Sequence, residues 1–387
     1  MPEKYDCKES MLDKLRLQVE GWRGISHSYA LVNQFQLLHW HKSGLASIRH
    51  IDMPFVMPHW ASGENSAGFH ANDMNIIQNI SEPIEPEAIY RIFAPFGLDT
   101  PVDLPTVTFA VTEFGLNDSN YNQEMVDRYA ARGGKIHTPS TWSKNRLMAS
   151  GMPEHIIHVI PHAADPNYFF QMDGDSIAKN REAIGYQADD VVLLNVGTHH
   201  WNKGLDVLIT AFARARQKNK RLKLLLKDQR STYLMNSESY VHQTLSDIGM
   251  NDPDTLDAIR LLSGHLDLSQ LNALYNVADA YVTPYRAEGF NLPALEAQTC
   301  GTPVIATKGG ATQDFLKSHE NFSIPGKYHE NAKLKNDLSI NAYIEPDLSA
   351  VIMTLENLNH KKSTIHSYKS HTWNDACNEI AFLLSGI

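Results

Sequence analysis

The chain has 387 residues, too many for one ordinary core and suited to two domains of common size. Hydrophobic residues make up 42% and charged residues 20%, a globular composition. The 34 Lys and Arg against 44 Asp and Glu leave a formal net charge of −10, which argues against a general duplex-DNA binder, since that needs a cationic face to displace counterions.

Cys7, Cys300 and Cys377 lie far apart without metal-ligand spacing, which fits a reduced, cytosolic setting. The opening MPEKYDCKES is polar with no apolar signal core, and no apolar run reaches the length of a bilayer span. The expectation is a cytoplasmic protein, with a peripheral membrane contact left open.

In chain order, LRLQV (Leu15–Val19) reads as a strand, EGWRGISHS as a Gly-bearing loop, and SYALVNQFQLLHW as a helix by its apolar spacing. ASIRHI, FVMPHW and AIYRIFAPF follow as strand candidates, then the β-branched run TVTFAVTEF (Thr106–Phe114). KIHTPS is another strand, leading to a helix from Thr141 to about Ser150, with Ser140 as N-cap and Gly151 as stop. Polar DGDSIAKNREAIGYQADD, near residues 171–190, reads as a linker, and its Asp173–Asp175 pair as linker rather than a metal site.

The second half is more regular. VVLLNVG (Val191–Gly197), KLLLK, DAIRLLSG, DAYVTPY and TPVIAT read as buried strands alternating with helices, and the tail from His366 to Ile387 as helical. Such alternation implies parallel sheets covered on both faces. The fold class is α/β: two Rossmann-like domains, 1–175 and 188–365, with 366–387 crossing back to the first. Ligands in such sheets sit off the carboxyl ends of the strands.

One stretch at such an end carries the chemistry: RAEGFNLPALEAQTCGTPVIAT, Arg286 to Thr307. Pro293 fits the first helical position of a short helix after a loop through Leu292, and Gly301 with Pro303 stops it. The amides of Phe290, Asn291 and Leu292 then face the crevice at a helix N-terminus, a backbone site for phosphate, and Gly289 allows close approach. Glu288 precedes the helix and reaches another part of a ligand. Glu296, one turn inside, reads either as a carboxylate for a diol such as ribose or as an exposed helix residue. A phosphate flanked by two hydroxyl-binding carboxylates describes a nucleotide sugar.

The segment EGFNLPALEAQTCGTPVIATKGG resembles the E-x7-E segment of family-4 retaining glycosyltransferases of the GT-B fold. The resemblance continues in NVGTHHWNKGLDVLITAFARA, GHLDLSQLNALYNVADAYVTPY and TPSTWSKNRLMASGMPEHIIHVIPHAADPNYF, covering most of residues 106–310. It implies that Glu288 contacts the transferred sugar, Glu296 the ribose, and the Phe290–Leu292 backbone the diphosphate. Asn291 stands where many relatives have glycine. Lys203 matches the lysine that grips the diphosphate, but Thr198 or His199 occupies the place of the accompanying arginine, and Lys227 is a candidate to supply the missing charge. Gly264, His265 and Leu266 match the base-binding loop.

In the first half, Gly21 and Gly24 either approach the diphosphate or only permit a turn. Thr112–Glu113 resembles a subgroup in which Thr-Glu replaces His-Asp or His-Glu, so Glu113 binds a sugar hydroxyl, positions the acceptor, or is a structural carboxylate. His162 either lines the cleft or packs at the hinge. Adjacent His199 and His200 point in different directions and lack a matching carboxylate set, so no metal is expected.

The implied reaction moves a sugar from a GDP- or UDP-linked donor to a hydroxyl of a glycan, lipid or small-molecule acceptor, with retention and no cofactor. No nucleic-acid partner is expected. A nucleotide-sugar epimerase, an α-glucan phosphorylase or a non-catalytic nucleotide-sugar-binding protein are the rivals. The choice of sugar, base and acceptor, and the oligomeric state, stay open.

Overall fold

Short apolar runs become parallel strands, and the amphipathic stretches between them become helices that cover both sheet faces. The computed structural model describes residues 14–63, 68–98, 104–116, 121–229, 233–234, 236–316, 322–333, 339–359 and 371–385. The first sheet holds β1 (Leu15–Gly21), β2 (Ala46–Asp52), β3 (Ala88–Ile92), β4 (Thr106–Phe109), β5 (Lys135–Thr138) and β6 (Ile157–Val159) in the order β2-β1-β3-β4-β5-β6. The second holds β7 (Val191–Val196), β8 (Leu222–Lys227), β9 (Ile259–Leu262), β10 (Ala280–Thr283), β11 (Val304–Thr307) and β12 (Phe322–Ile324) in the order β12-β11-β10-β7-β8-β9. Every pairing in both sheets is parallel.

Strand order reverses between β1 and β3 and again between β7 and β10. Crevices open at the carboxyl ends of strands at such switch points. The loops after β7 and β10, which carry Lys203 and Glu288, flank the second one. Val191 to Leu194 of β7 are fully buried, as expected of a central strand covered on both sides.

Three stretches fold differently from the sequence reading. TVTFAVTEF is a strand only to Phe109, because Thr112 turns the chain: its hydroxyl donates to the Gly115 carbonyl at 2.7 Å and accepts from the Gly115 amide at 2.9 Å. FVMPHW is a loop, since its proline and the one just before it, Pro54, cannot donate to a ladder. The polar stretch taken as a linker holds a helix, Gly174–Ile184, whose N-cap Asp173 accepts from the Ser176 amide at 2.8 Å.

An antiparallel hairpin, β13 (Gly326–Lys333) and β14 (Ser339–Pro346), is a further element absent from the sequence reading. It ties the halves together. The Asn341 amide donates to the Phe114 carbonyl, and its side chain donates to Ser150 Oγ, both at 2.9 Å.

The last helix, Trp373–Leu384, returns to the first half; residues 366–370 of the expected helix lie outside the described residues. Trp373 stacks on Phe35 of the Ser28–Ser43 helix at 5.4 Å, and Trp40 Nε1 donates to the Cys377 carbonyl. One continuous apolar core therefore joins Phe109 of the first half, Phe290 of the second, and Trp373. Among the described residues, no helix is long and apolar enough to cross a membrane.

Candidate functional site

The Arg286–Thr307 stretch folds as its turn chemistry requires. Its helix runs Leu292–Thr299, with Pro293 in the first turn. Asn291 is the N-cap and sits in the left-handed region at φ 75°, where glycine and asparagine are the residues best tolerated. Its Oδ1 accepts from the Ala294 amide at 3.2 Å, and its Nδ2 donates to Thr283 Oγ1 at 3.0 Å. Asparagine here thus holds a backbone shape that suits glycine and adds a cap. The amides of Phe290, Asn291 and Leu292 meet no acceptor among the described residues.

Gly289 marks where the halves touch. A Cβ there would lie 2.3 Å from Val111 Cγ2 of the first half. Ser140 Oγ, which also caps the Thr141–Ala149 helix, donates to the Gly289 carbonyl at 2.6 Å.

Lys203 stands between two carboxylates. Its Nζ donates to Glu113 Oε1 at 2.6 Å and to Glu288 Oε2 at 2.8 Å. Glu113 comes from the loop after β4, so one ammonium links both halves. Asn202 Nδ2 adds a bond to Glu113 Oε2 at 2.8 Å. Desolvation works against the Lys203 charge, but the two carboxylates outweigh it and hold its pKa above the usual value. Burial and the Glu113 charge push Glu288 up to about 7, with Lys203 opposing. Glu113, whose side chain is one-third exposed (33%), is no buried structural carboxylate.

Glu296 is buried rather than an exposed helix residue. Tyr275 donates to its Oε2 at 2.5 Å, and desolvation pushes its pKa up to about 7. A carboxyl so held keeps a fixed orientation.

Other sequence candidates are placed differently. Gly24 has φ 74°, but its amide donates to Gln34 Oε1 at 3.0 Å and its carbonyl accepts from Gly63, so its amide is not free for a phosphate. Thr112 is occupied by its own turn, as above. His162 is a packed hinge residue, 5% exposed, against Phe290 (4.9 Å), Phe109 (5.5 Å) and Trp373 (5.9 Å); burial holds it neutral. Thr198 Oγ1 bonds His200 Nδ1 at 2.6 Å.

Lys227 ends β8 beside Gly197, and its ammonium donates to the Asp228 carbonyl, outside the Lys203 cluster. His265 is exposed, while Leu266 packs partly against the core. The loop holding them meets the first half, where the Leu268 amide donates to the Gly68 carbonyl at 2.8 Å. His199 stacks on Tyr240 at 4.6 Å, away from His200, and no group of three or more His, Cys, Asp or Glu among the described residues could hold a metal ion.

Arg286 was missed as a framework residue. Its guanidinium is buried, forms paired bonds to Asp206 (2.8 Å each) and Glu345 (2.8 and 2.9 Å), and donates to the Trp201 carbonyl at 2.8 Å. It fixes the Lys203 loop to the Glu288 loop and is committed there, so it does not replace the absent arginine. A lone Arg before Ala-Glu-Gly-Phe carries no sequence signal for this.

Two parallel α/β sheets meeting through loops at the carboxyl ends of their strands, with a C-terminal helix crossing back, define the GT-B class. The solved structures of the Anabaena protein HepE in complex with UDP (TM-score 0.55, 14% identity, 96% of this chain and 95% of that one) and of sucrose-phosphate synthase from Thermosynechococcus elongatus (0.58, 13%, 96% and 95%) share this fold.

The chain matches the sequence model of the family "Glycosyl transferases group 1" over residues 176–341. It is 32% identical over 187 residues to D-inositol 3-phosphate glycosyltransferase of Stackebrandtia nassauensis, covering 47% of this chain and 40% of that protein. It is 28% identical over 166 residues to mannosylfructose-phosphate synthase of Agrobacterium fabrum, covering 41% and 34%. The chain thus spans less than half the length of the curated relatives it matches.

Proposed function

We propose that the protein transfers a sugar from a nucleoside diphosphate sugar to an acceptor hydroxyl, with retention of anomeric configuration. The observation that carries this reading is the arrangement at the β7/β10 switch point. Three amides with no acceptor among the described residues open the Leu292–Thr299 helix, Lys203 bonds Glu288 just before them, and buried Glu296 lies inside that helix. The amides and the ammonium stabilise a diphosphate as negative charge develops on it. Glu296 accepts from the ribose, and Glu288 contacts the transferred sugar. In this reading the departing phosphate takes the acceptor proton, so the chain needs no nucleophile and no metal; it orients the substrates and excludes water on closure. The match to that family model and the UDP named for HepE support a nucleotide-sugar donor.

The lack of the family's arginine at Thr198 or His199 favours one second reading, a nucleotide-sugar-binding protein without turnover. A thermal-shift screen with UDP, GDP, UDP-glucose and GDP-mannose tests donor binding. A ligand at about a hundred times its Kd stabilises by about 2.7 kcal/mol and raises the melting temperature. No shift with any of them overturns the donor assignment. A shift without sugar release or transfer selects the second reading.

A further inference from the structure

Beside the Lys203 cluster lies a group of rings that the proposed donor site does not use. After β1, Trp22 packs edge-on against Trp60 at 5.6 Å and Phe55 at 6.3 Å, and His27 lies 5.0 Å from Trp60. These four rings belong to the first half. Tyr233 faces them from the second half, 6.3 Å from His27 and 6.4 Å from Trp60, and His200 meets Tyr233 edge-on at 5.6 Å. Trp22 belongs to the apolar core and Phe55 and Trp60 pack half-buried against it, while His27 and Tyr233 are half-buried and His200 is exposed, so the group is a wall at the solvent-facing edge of that core. Tyr233 and His200 both feel the charges of Lys203 and Glu113, which places the rings next to the proposed reacting centre.

The polar groups of this wall are specific. His27 caps the Ser28–Ser43 helix, its Nδ1 accepting from the Tyr29 amide at 3.2 Å. The ring proton therefore sits on Nε2, which has no partner among the described residues and is a free donor; burial keeps the imidazole neutral. Arg23, next to Trp22, is committed to Asp52 (2.6 and 2.8 Å) and to the carbonyls of Ile77 and Gln78. Lys203 is likewise taken by its carboxylates. The wall thus offers aromatic faces and a neutral donor, with both of these cations engaged elsewhere.

Resting on the proposed function, we propose that Trp22, His27, Phe55 and Trp60, closed by Tyr233 and His200, form the acceptor subsite, and that it takes an uncharged sugar ring. The C–H faces of a pyranose carry slight positive charge and lie well on the negative faces of aromatic rings, while a hydroxyl accepts from His27 Nε2. Because the walls come from opposite halves, the ring enters when they part and is enclosed when they close. Among the described residues, a phosphorylated acceptor finds no free cation in this wall.

The test is tryptophan fluorescence of the full chain, with saturating UDP or GDP, titrated with methyl α-D-glucopyranoside, methyl α-D-mannopyranoside and decyl β-D-glucopyranoside. A methyl glycoside has about 13 heavy atoms; at roughly 0.3 kcal/mol each it binds with a Kd near 1 mM. At least one methyl glycoside is expected to saturate the signal. Trp60→Ala should weaken it about tenfold or more, the loss of roughly 1.4 kcal/mol, and Trp60→Phe by less than about threefold. His27→Asn keeps an N-cap side chain and should also weaken binding.

No response to either methyl glycoside at about 50 mM, well above that Kd, overturns the inference. So does a response to the decyl glycoside alone, which would make the subsite a reader of apolar chains. So does undiminished binding in Trp60→Ala. Nucleotide binding measured by calorimetry in the same samples reports separately on the donor reading: its presence with no glycoside response sinks the subsite only, and its absence sinks both.

Discussion

The two switch points solve opposite problems with opposite materials. At β7/β10 the crevice is lined by charge and bare amides: Lys203, Glu288, Glu296 and the Phe290–Leu292 backbone. At β1/β3 the backbone amide of Gly24 is already spent on Gln34, and the surface is made of rings. A diphosphate is recognised by fixed dipoles and a cation, whereas a neutral ring is recognised by shape and polarisable faces. On the proposed reading, the halves divide recognition of the leaving group from recognition of what receives the sugar. Glu113 is the first-half carboxylate in this structure that touches the second half's lysine.

The sharpest way to break that division is Lys203→Ala. It removes the cation from the leaving group and leaves Glu113 and Glu288 facing each other. Turnover should fall by about 10²–10³, with glycoside binding at the ring wall retained. Steady-state kinetics beside the fluorescence titration check this.

Glu296→Gln separates stability from function. Burial holds Glu296 protonated up to about 7, against 4.5 for the ordinary group. Between those values the unfolded chain has released a proton that the native chain keeps, so stability falls as pH rises through the window and stays low above it. The Gln variant loses that slope. It should be more stable by about 2 kcal/mol near pH 8, with the gain fading toward about pH 5, while nucleotide binding weakens. Urea unfolding at the two pH values reads the first effect and calorimetry the second.

Gly289→Ala tests whether the halves must touch. The added methyl meets Val111 and should cost about 1–3 kcal/mol of closure, lowering turnover roughly tenfold while nucleotide binding to the second half changes little. The smallest effect is expected for Glu113→Gln. A diphosphate competes with Glu113 for Lys203, so removing that charge should tighten UDP or GDP about threefold, within the range of a partly exposed ion pair. A weaker nucleotide affinity in that variant would contradict the competition.

What the sequence disclosed follows the same division. The donor side rests on a contiguous run whose turn chemistry, helix start and stop are all local, so Arg286–Thr307 reads correctly to within a residue of its helix start, which falls at Leu292 rather than Pro293. The cap at Asn291 is a side-chain event that only the φ of 75° explains. The ring wall is assembled from residues 22, 27, 55, 60 and 233, which share no period and meet only through tertiary packing. The Gly174–Ile184 helix looked like a linker because only Ile177 and Arg181 of it are buried, too thin an apolar stripe to register. The hairpin alternates weakly because much of β13 faces solvent. Thr106–Phe114 was read too long because β-branched residues announce strand propensity but not the side-chain bond by which Thr112 ends it.

A crystal structure of the protein with a bound nucleoside diphosphate sugar addresses the central claim most directly. The diphosphate oxygens should lie about 3 Å from the amides of Phe290, Asn291 and Leu292 and from Lys203 Nζ, with the ribose hydroxyls on Glu296. A donor seated anywhere else, or one whose diphosphate leaves those amides to solvent, would contradict the account.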